Sequence, residues 1–132
     1  MIEEMLGAAS QGAGMVELRL DFLAKAPDFK RLFEKKPASI LATVRRKSDG
    51  GKFTGTEEER MTLIRQAIVS GSDWIDLEED IVPKIPRFGK CKRIASYHNF
   101  SETPSDLAGV YQRMCGLDAD VIKIACMAKT PD

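Results

Sequence analysis

The sequence predicts an α/β fold in which parallel strands alternate with helices, and three observations lead there. Short strand-like runs recur at Met15 to Leu20, Ile40 to Arg45, Trp74 to Glu78, Arg93 to His98 and Val121 to Ala125. Helical patterns fill the intervals, and strands separated in this way are joined by crossovers into a parallel sheet. The composition agrees: 132 residues, 43% hydrophobic and 30% charged, describe a globular domain long enough to bury a core. Residues 1–132 are read as a single domain.

The first element is an N-terminal helix whose apolar residues are Ile2, Met5, Leu6 and Ala9. The first strand follows, and after Pro27 a short helix from about Asp28 to Lys35 carries Phe29, Leu32 and Phe33. Between the second and third strands, Thr56 and Glu59 form a capping box, and Met61, Ile64 and Ile68 supply a stripe that closes near Gly71. The segment from Asp80 to Lys92 contains Pro83, Pro86 and Gly89, so this crossover has room for little more than a turn or two of helix and is expected to be the weakest. Beyond His98, Thr103 is expected to cap a helix with Pro104 at its first position, with Leu107, Val110, Tyr111 and Met114 on one face before Gly116. The pattern opens on a helix with no strand before it, and Thr130-Pro131-Asp132 reads as the start of another. A complete (β/α)8 barrel runs to about 250 residues. The expected architecture is therefore a partial (β/α)8 TIM barrel of about five parallel strands with intervening helices. Such a sheet has two open edges, to be covered by further chain or by association.

Twenty basic and twenty acidic residues cancel, so no net field favours nucleic acid or an anionic membrane, and a small molecule is the expected partner. No apolar run approaches the roughly 20 residues of a membrane span, and the opening MIEEMLGAAS lacks the features of a signal peptide, so the cytoplasm is the expected location. Cys91, Cys115 and Cys126 are odd in number and lack CxxC spacing, which argues for reduced, structural cysteines. Gly12-Ala13-Gly14 precedes a strand instead of following one, which removes the dinucleotide-binding reading. A metal site from Asp76, Glu78 and His98 is disfavoured because neighbouring Arg and Lys residues would repel a cation.

The chemistry lies in the alternation. In Val16 to Asp21 the apolar residues make one face and Glu17, Arg19 and Asp21 the other, although parallel strands are usually apolar on both faces. The later strands repeat this with Thr43 and Arg45, Asp76 and Glu78, Ser96 and His98, and Lys123. So many inward charges are tolerable only as a paired network or a solvated active site, and barrel sites lie at the C-terminal ends of strands. Lys123 sits in VIKIA, where desolvation would penalise the ammonium and favour a nucleophilic amine; the alternative is a buried ion pair with Asp120, Glu78 or Asp76. His98, the one histidine, could serve as general acid or base, or be a hydrogen-bonded structural residue. Arg19 and Arg45 could fork a substrate carboxylate and Glu17 accept from hydroxyls, or all three could pair internally. The loop Arg46 to Gly55 is either a mobile cover or a plain surface loop.

Taken in order, VELRLD, ATVR, DLEED, SYHNF followed by TP, and DVIKIA resemble type I 3-dehydroquinate dehydratase from its second through its sixth barrel strand. The resemblance spans nearly the whole chain. It implies that Lys123 forms an imine with the C3 ketone of 3-dehydroquinate, and that His98 removes a C2 proton and assists loss of the C1 hydroxyl, giving 3-dehydroshikimate. It also implies substrate binding by Glu17, Arg19 and Arg45, no external cofactor, and association as a homo-oligomer, a dimer. The acid associated with the catalytic histidine, usually Glu in this family, is here Asp49, and the family's late arginine, serine and glutamine have no counterpart in these residues. A class I aldolase would share the lysine, but its phosphate site would lie outside these strands. A catalytically silent scaffold or assembly element is the other alternative.

Overall fold

The computed structural model describes residues 14–23, 27–34, 38–99 and 105–126. Five strands, β1 (Met15–Arg19), β2 (Ser39–Thr43), β3 (Trp74–Glu78), β4 (Lys92–Asn99) and β5 (Val121–Cys126), form one sheet in sequence order. Every neighbouring pair is parallel. Parallel neighbours in strict chain order require each crossover to return on the same side, and so the apolar residues of all the strands face a common layer. Leu18, Ile40, Ala42, Ile75, Leu77 and Ala95 are buried there, against Ile64, Ala67 and Ile68 of the longest helix.

Three α-helices are described: α1 (Phe29–Glu34), α2 (Glu57–Ser70) and α3 (Leu107–Cys115). In α1, Leu32 and Phe33 face the core, and Phe29 stacks on Phe33 with ring centroids 5.8 Å apart. The capping box of α2 forms in part as expected: the Thr56 hydroxyl accepts from the Glu59 amide at 3.1 Å, and Gly71 closes the helix with φ 116°. A residue with a Cβ would be strained at that angle.

Two expectations shift. Helix α3 starts after Asp106, whose carboxylate accepts from the Gly109 amide at 3.0 Å, and not after Thr103, which together with Pro104 lies outside the described residues. Its expected face also divides. Val110 and Met114 are buried, whereas Leu107 and Tyr111 are 41% and 57% exposed. They line an apolar groove with Ala108, Ile124 and Cys126, beside the open edge at β5. The predicted N-terminal helix and the segment from Thr130 also lie outside the described residues.

The crossover between β3 and β4 carries only a 3-10 turn, Val82–Lys84, as its prolines predict. Ile81, Val82 and Ile85 are buried beneath it. Arg93, itself buried, donates to the carbonyls of Ile85 and Val82, both at 2.6 Å. A side chain from the sheet thus satisfies carbonyls that a longer helix would have satisfied internally. All three cysteines are free, and burial pushes the Cys91 thiol up to about 11. Among the described residues no helix is long and apolar enough to cross a membrane, and no group of acidic, Cys and His residues could hold a metal ion.

Candidate active site

Strand register builds the site. Glu78 of β3, Ser96 of β4 and Lys123 of β5 lie in one cross-strand row, with His98 one step further along, opposite Ala125. Because parallel neighbours in register point the same way, Asp76, Glu78, Ser96, His98 and Lys123 share the inner face. Glu17 and Arg19 reach it from β1, where Glu17 pairs with Leu41 and Arg19 with Thr43. The polar face predicted from alternation is therefore a continuous surface at the C-terminal half of the sheet.

Arg45 is its centre. Only 4% exposed, it presents Nη1 to Glu78 Oε2 at 2.6 Å, to Asp76 Oδ1 at 2.9 Å and to Ser96 Oγ at 3.1 Å. Ser96 in turn donates to Asp76 Oδ1 at 2.7 Å. Burial opposes the charge on Arg45, but Asp76 and Glu78 more than compensate and push its pKa up. The other donors of the guanidinium have no hydrogen-bond partner among the described residues. Internal pairing and ligand binding are thus compatible in Arg45, since one nitrogen takes all the pairing.

Behind this row sits a residue that strand alternation does not reveal. Arg60 of α2 is 1% exposed and donates through Nη1 to Glu78 Oε1 at 2.7 Å and to the Val44 carbonyl at 2.8 Å. Its Nε donates to Glu57 Oε1 at 2.5 Å. Glu78 thus lies between two guanidinium groups. Burial pushes its carboxyl above the ordinary glutamate range, while Arg60 and then Arg45 pull it back down. A sequence signal existed: Arg60 stands four residues before Ile64, on the stripe that the helix turns toward the core.

His98 is half-buried, and burial followed by the positive charges of Arg45 and Lys123 holds its pKa below the ordinary 6.5, with Asp76 and Asp49 pulling the other way. Glu17 is exposed and accepts from the Thr43 hydroxyl at 2.8 Å. Arg19 donates from Nε and Nη2 to the two oxygens of Asp21, at 3.0 and 2.9 Å, and lies 4.6 Å over the Phe22 ring. Asp49 accepts from Arg46 Nε at 2.5 Å, and Arg46 also reaches Glu57 and Asp80.

Lys123 departs from the buried environment that its aliphatic neighbours suggest. It is exposed, because β5 is the last strand of the sheet and nothing described packs on its far side. Among the described residues it has no ion-pair partner. Asp120 is engaged by Arg87 and by the Arg93 amide, while Asp76 and Glu78 are engaged by Arg45 and Arg60. The alternative of a buried ion pair is therefore not what these residues form.

The loop from Arg46 to Gly55 is tied down on both sides. Lys52 donates its amide to Asp21 at 3.0 Å, Phe53 donates to the Arg45 carbonyl at 3.2 Å, and Gly51 donates to the Arg46 carbonyl at 2.9 Å. A Cβ at Gly51 would lie 2.1 Å from the Arg45 carbonyl oxygen, so the close approach requires glycine. Of the two readings of this loop, the plain surface loop agrees with these contacts.

Comparison with known proteins gives a consistent picture. The family model described as type I 3-dehydroquinase matches residues 1–132. A 3-dehydroquinate dehydratase of Methanopyrus kandleri is 33% identical, over 98% of this chain and 62% of its own. The 3-dehydroquinate dehydratase of Archaeoglobus fulgidus is 40% identical, over 92% of this chain and 58% of its own. Among solved structures, the 3-dehydroquinate dehydratase from Geobacillus kaustophilus HTA426 aligns with a TM-score of 0.77 at 22% identity, over 98% of this chain and 58% of that one, a likeness of fold. The chain thus spans less than two thirds of the length of these relatives.

Proposed function

Because the chain belongs to the type I 3-dehydroquinase family, with five parallel strands of a partial (β/α)8 barrel, we propose that it is part of a 3-dehydroquinate dehydratase that works through an imine on Lys123. The observation that carries this reading is the register row of Glu78, Ser96 and Lys123, with His98 beside it and Arg45 bonded into it. In the proposed reaction the Lys123 amine adds to the C3 ketone and water leaves, forming a protonated imine. His98 takes the C2 proton, the imine receives the electrons as an enamine, and their return expels the C1 hydroxyl, which leaves as water with a proton from His98. Hydrolysis of the imine then frees 3-dehydroshikimate and the amine. The depressed pKa of His98 suits the first step, since it keeps the imidazole neutral and able to accept a proton at neutral pH.

In this reading Arg45 binds the substrate carboxylate, Arg19 and Glu17 complete the binding wall, and Asp49 acts on His98 at a distance while bonded to Arg46. The imine is itself the electron sink, so no added cofactor enters the scheme. Borohydride trapping tests it. Full-length protein incubated with 3-dehydroquinate and borohydride should carry a reduced adduct on the peptide containing Lys123, visible by mass spectrometry. Folded protein without that adduct would overturn the mechanism.

A second reading, of a silent scaffold that associates as a dimer, is favoured by one observation, the exposed apolar groove of Leu107, Tyr111 and Ile124 beside the open edge. Turnover by a folded monomer would exclude it.

A further inference from the structure

We propose that Arg60 is a positioning residue for Arg45, a cation in the helical layer that acts through Glu78 to set the direction of the guanidinium facing the site and the net charge around it. The proposal rests on the reading of Arg45 as the group that binds a substrate carboxylate.

Geometry is the first support. Arg60 occupies Glu78 Oε1, which leaves Oε2 as the oxygen that meets Arg45, and the meeting is confined to Nη1. Arg60 also holds the carbonyl of Val44, the residue immediately before Arg45. Both ends of the Arg45 side chain are thus fixed from α2: the backbone through Val44 and the head through Glu78. Two guanidinium-to-carboxylate bonds at 2.6 and 2.7 Å on one carboxylate form a rigid relay.

Charge is the second support. Arg60, which also pairs with Glu57, brings a second cation to Glu78, and without it Arg45 alone would face Asp76 and Glu78. An arginine outnumbered by internal acids attracts a substrate anion poorly. With Arg60 present, Glu78 is shared, and Arg45 keeps attraction for an outside carboxylate. Stability alone does not explain the arrangement, because buried ion pairs can often be exchanged for apolar residues without loss. Arg60 belongs to α2 and is fully buried, with its head bonded to Glu78 and the Val44 carbonyl. Its effect on a ligand must therefore pass through Glu78 and the Val44 backbone.

Three variants of the full-length protein test the inference: Arg60→Met, Arg60→Lys, and the pair Arg60→Met with Glu78→Gln. Arg60→Met removes one of the two cations that oppose the upward push of burial on the Glu78 pKa. The expected result is a KM raised about tenfold, equivalent to about 1.4 kcal/mol, with kcat per borohydride-trapped site little changed. KM should also depend more on pH, because losing Arg60 moves the Glu78 pKa further upward. Arg60→Lys should recover part of the loss. The double variant removes the unpaired buried charge and leaves Arg45 facing Asp76 alone, but it does not rebuild the bonds from α2, so it should regain thermal stability and reverse only part of the rise in KM; if Arg60→Met fails to fold, the other two variants decide. A double variant with normal KM would overturn the inference, because Arg45 would then bind without being held from α2.

If the unmodified protein yields no adduct on Lys123, the dehydratase reading fails by itself, and the relay is read by nitrogen-15 NMR. Exchange of the Arg45 Nε–H with solvent should accelerate in Arg60→Met and in the double variant, and unchanged exchange would overturn the relay.

Discussion

His98 shows how neighbours set the behaviour of one side chain. Burial and then the charge of Arg45 favour the neutral imidazole. Its midpoint, followed by NMR of the imidazole protons, should lie below 6.5, and Arg45→Met should raise it. The sign for stability follows. The folded protein binds the His98 proton less readily than the unfolded chain, so this contribution is present above about 6.5 and is lost as pH falls through that value toward the folded midpoint. Gly51 makes a different point, since its place is decided by backbone. Gly51→Ala sets a methyl group against the Arg45 carbonyl. It should cost about 1–3 kcal/mol in denaturant unfolding. A variant of wild-type stability would show that the loop can move away from Arg45.

Among the elements, the crossover from β3 to β4 depends most on a single residue. It has no α-helix of its own, and Arg93 supplies the donors for Ile85 and Val82. Burial pushes the Arg93 pKa below the ordinary arginine value, the direction expected where carbonyls, and no bonded carboxylate, are its partners. Arg93→Met should leave the Ile85 carbonyl without a donor and the Val82 carbonyl with only the long bond from the Ile85 amide, at 3.4 Å, at a buried apolar turn. Hydrogen exchange of residues 80–87 should then accelerate by about tenfold or more, since losing a bond to a charged group costs about 1.5–3 kcal/mol. Helix α2 should exchange as before. Equal acceleration in both elements would mean that Arg93 serves the whole core and not the crossover.

At the scale of the molecule, the sheet formed by the described residues ends at β1 and β5, and the two edges differ. β1 is backed by Asp21, which holds Arg19 and Lys52 together. β5 has Lys123 exposed and the groove of Leu107, Tyr111, Ile124 and Cys126 beside it. A parallel edge with an apolar groove favours association. Light scattering of the 132-residue chain should show a dimer that Tyr111→Lys converts toward monomer. A chain that is monomeric at all concentrations would remove the scaffold reading.

Local pattern determined much of this protein. Period-two alternation located all five strands to within about a residue or two at each end, and it collected Glu17, Arg19, Arg45, His98 and Lys123 on one face. It could do so because strand geometry is a property of neighbouring residues. The family was legible in the same strand ends. Tertiary structure alone decided which charges meet. Arg45 joins Glu78 across 33 positions and Ser96 across 51, and Arg60 enters from the opposite layer. It also decided that Asp49 bonds Arg46, that α3 begins at Asp106, and that Lys123 stands exposed at an edge. Pairing energies depend on distance and burial, and neither is set until the crossovers have returned the strands to one sheet.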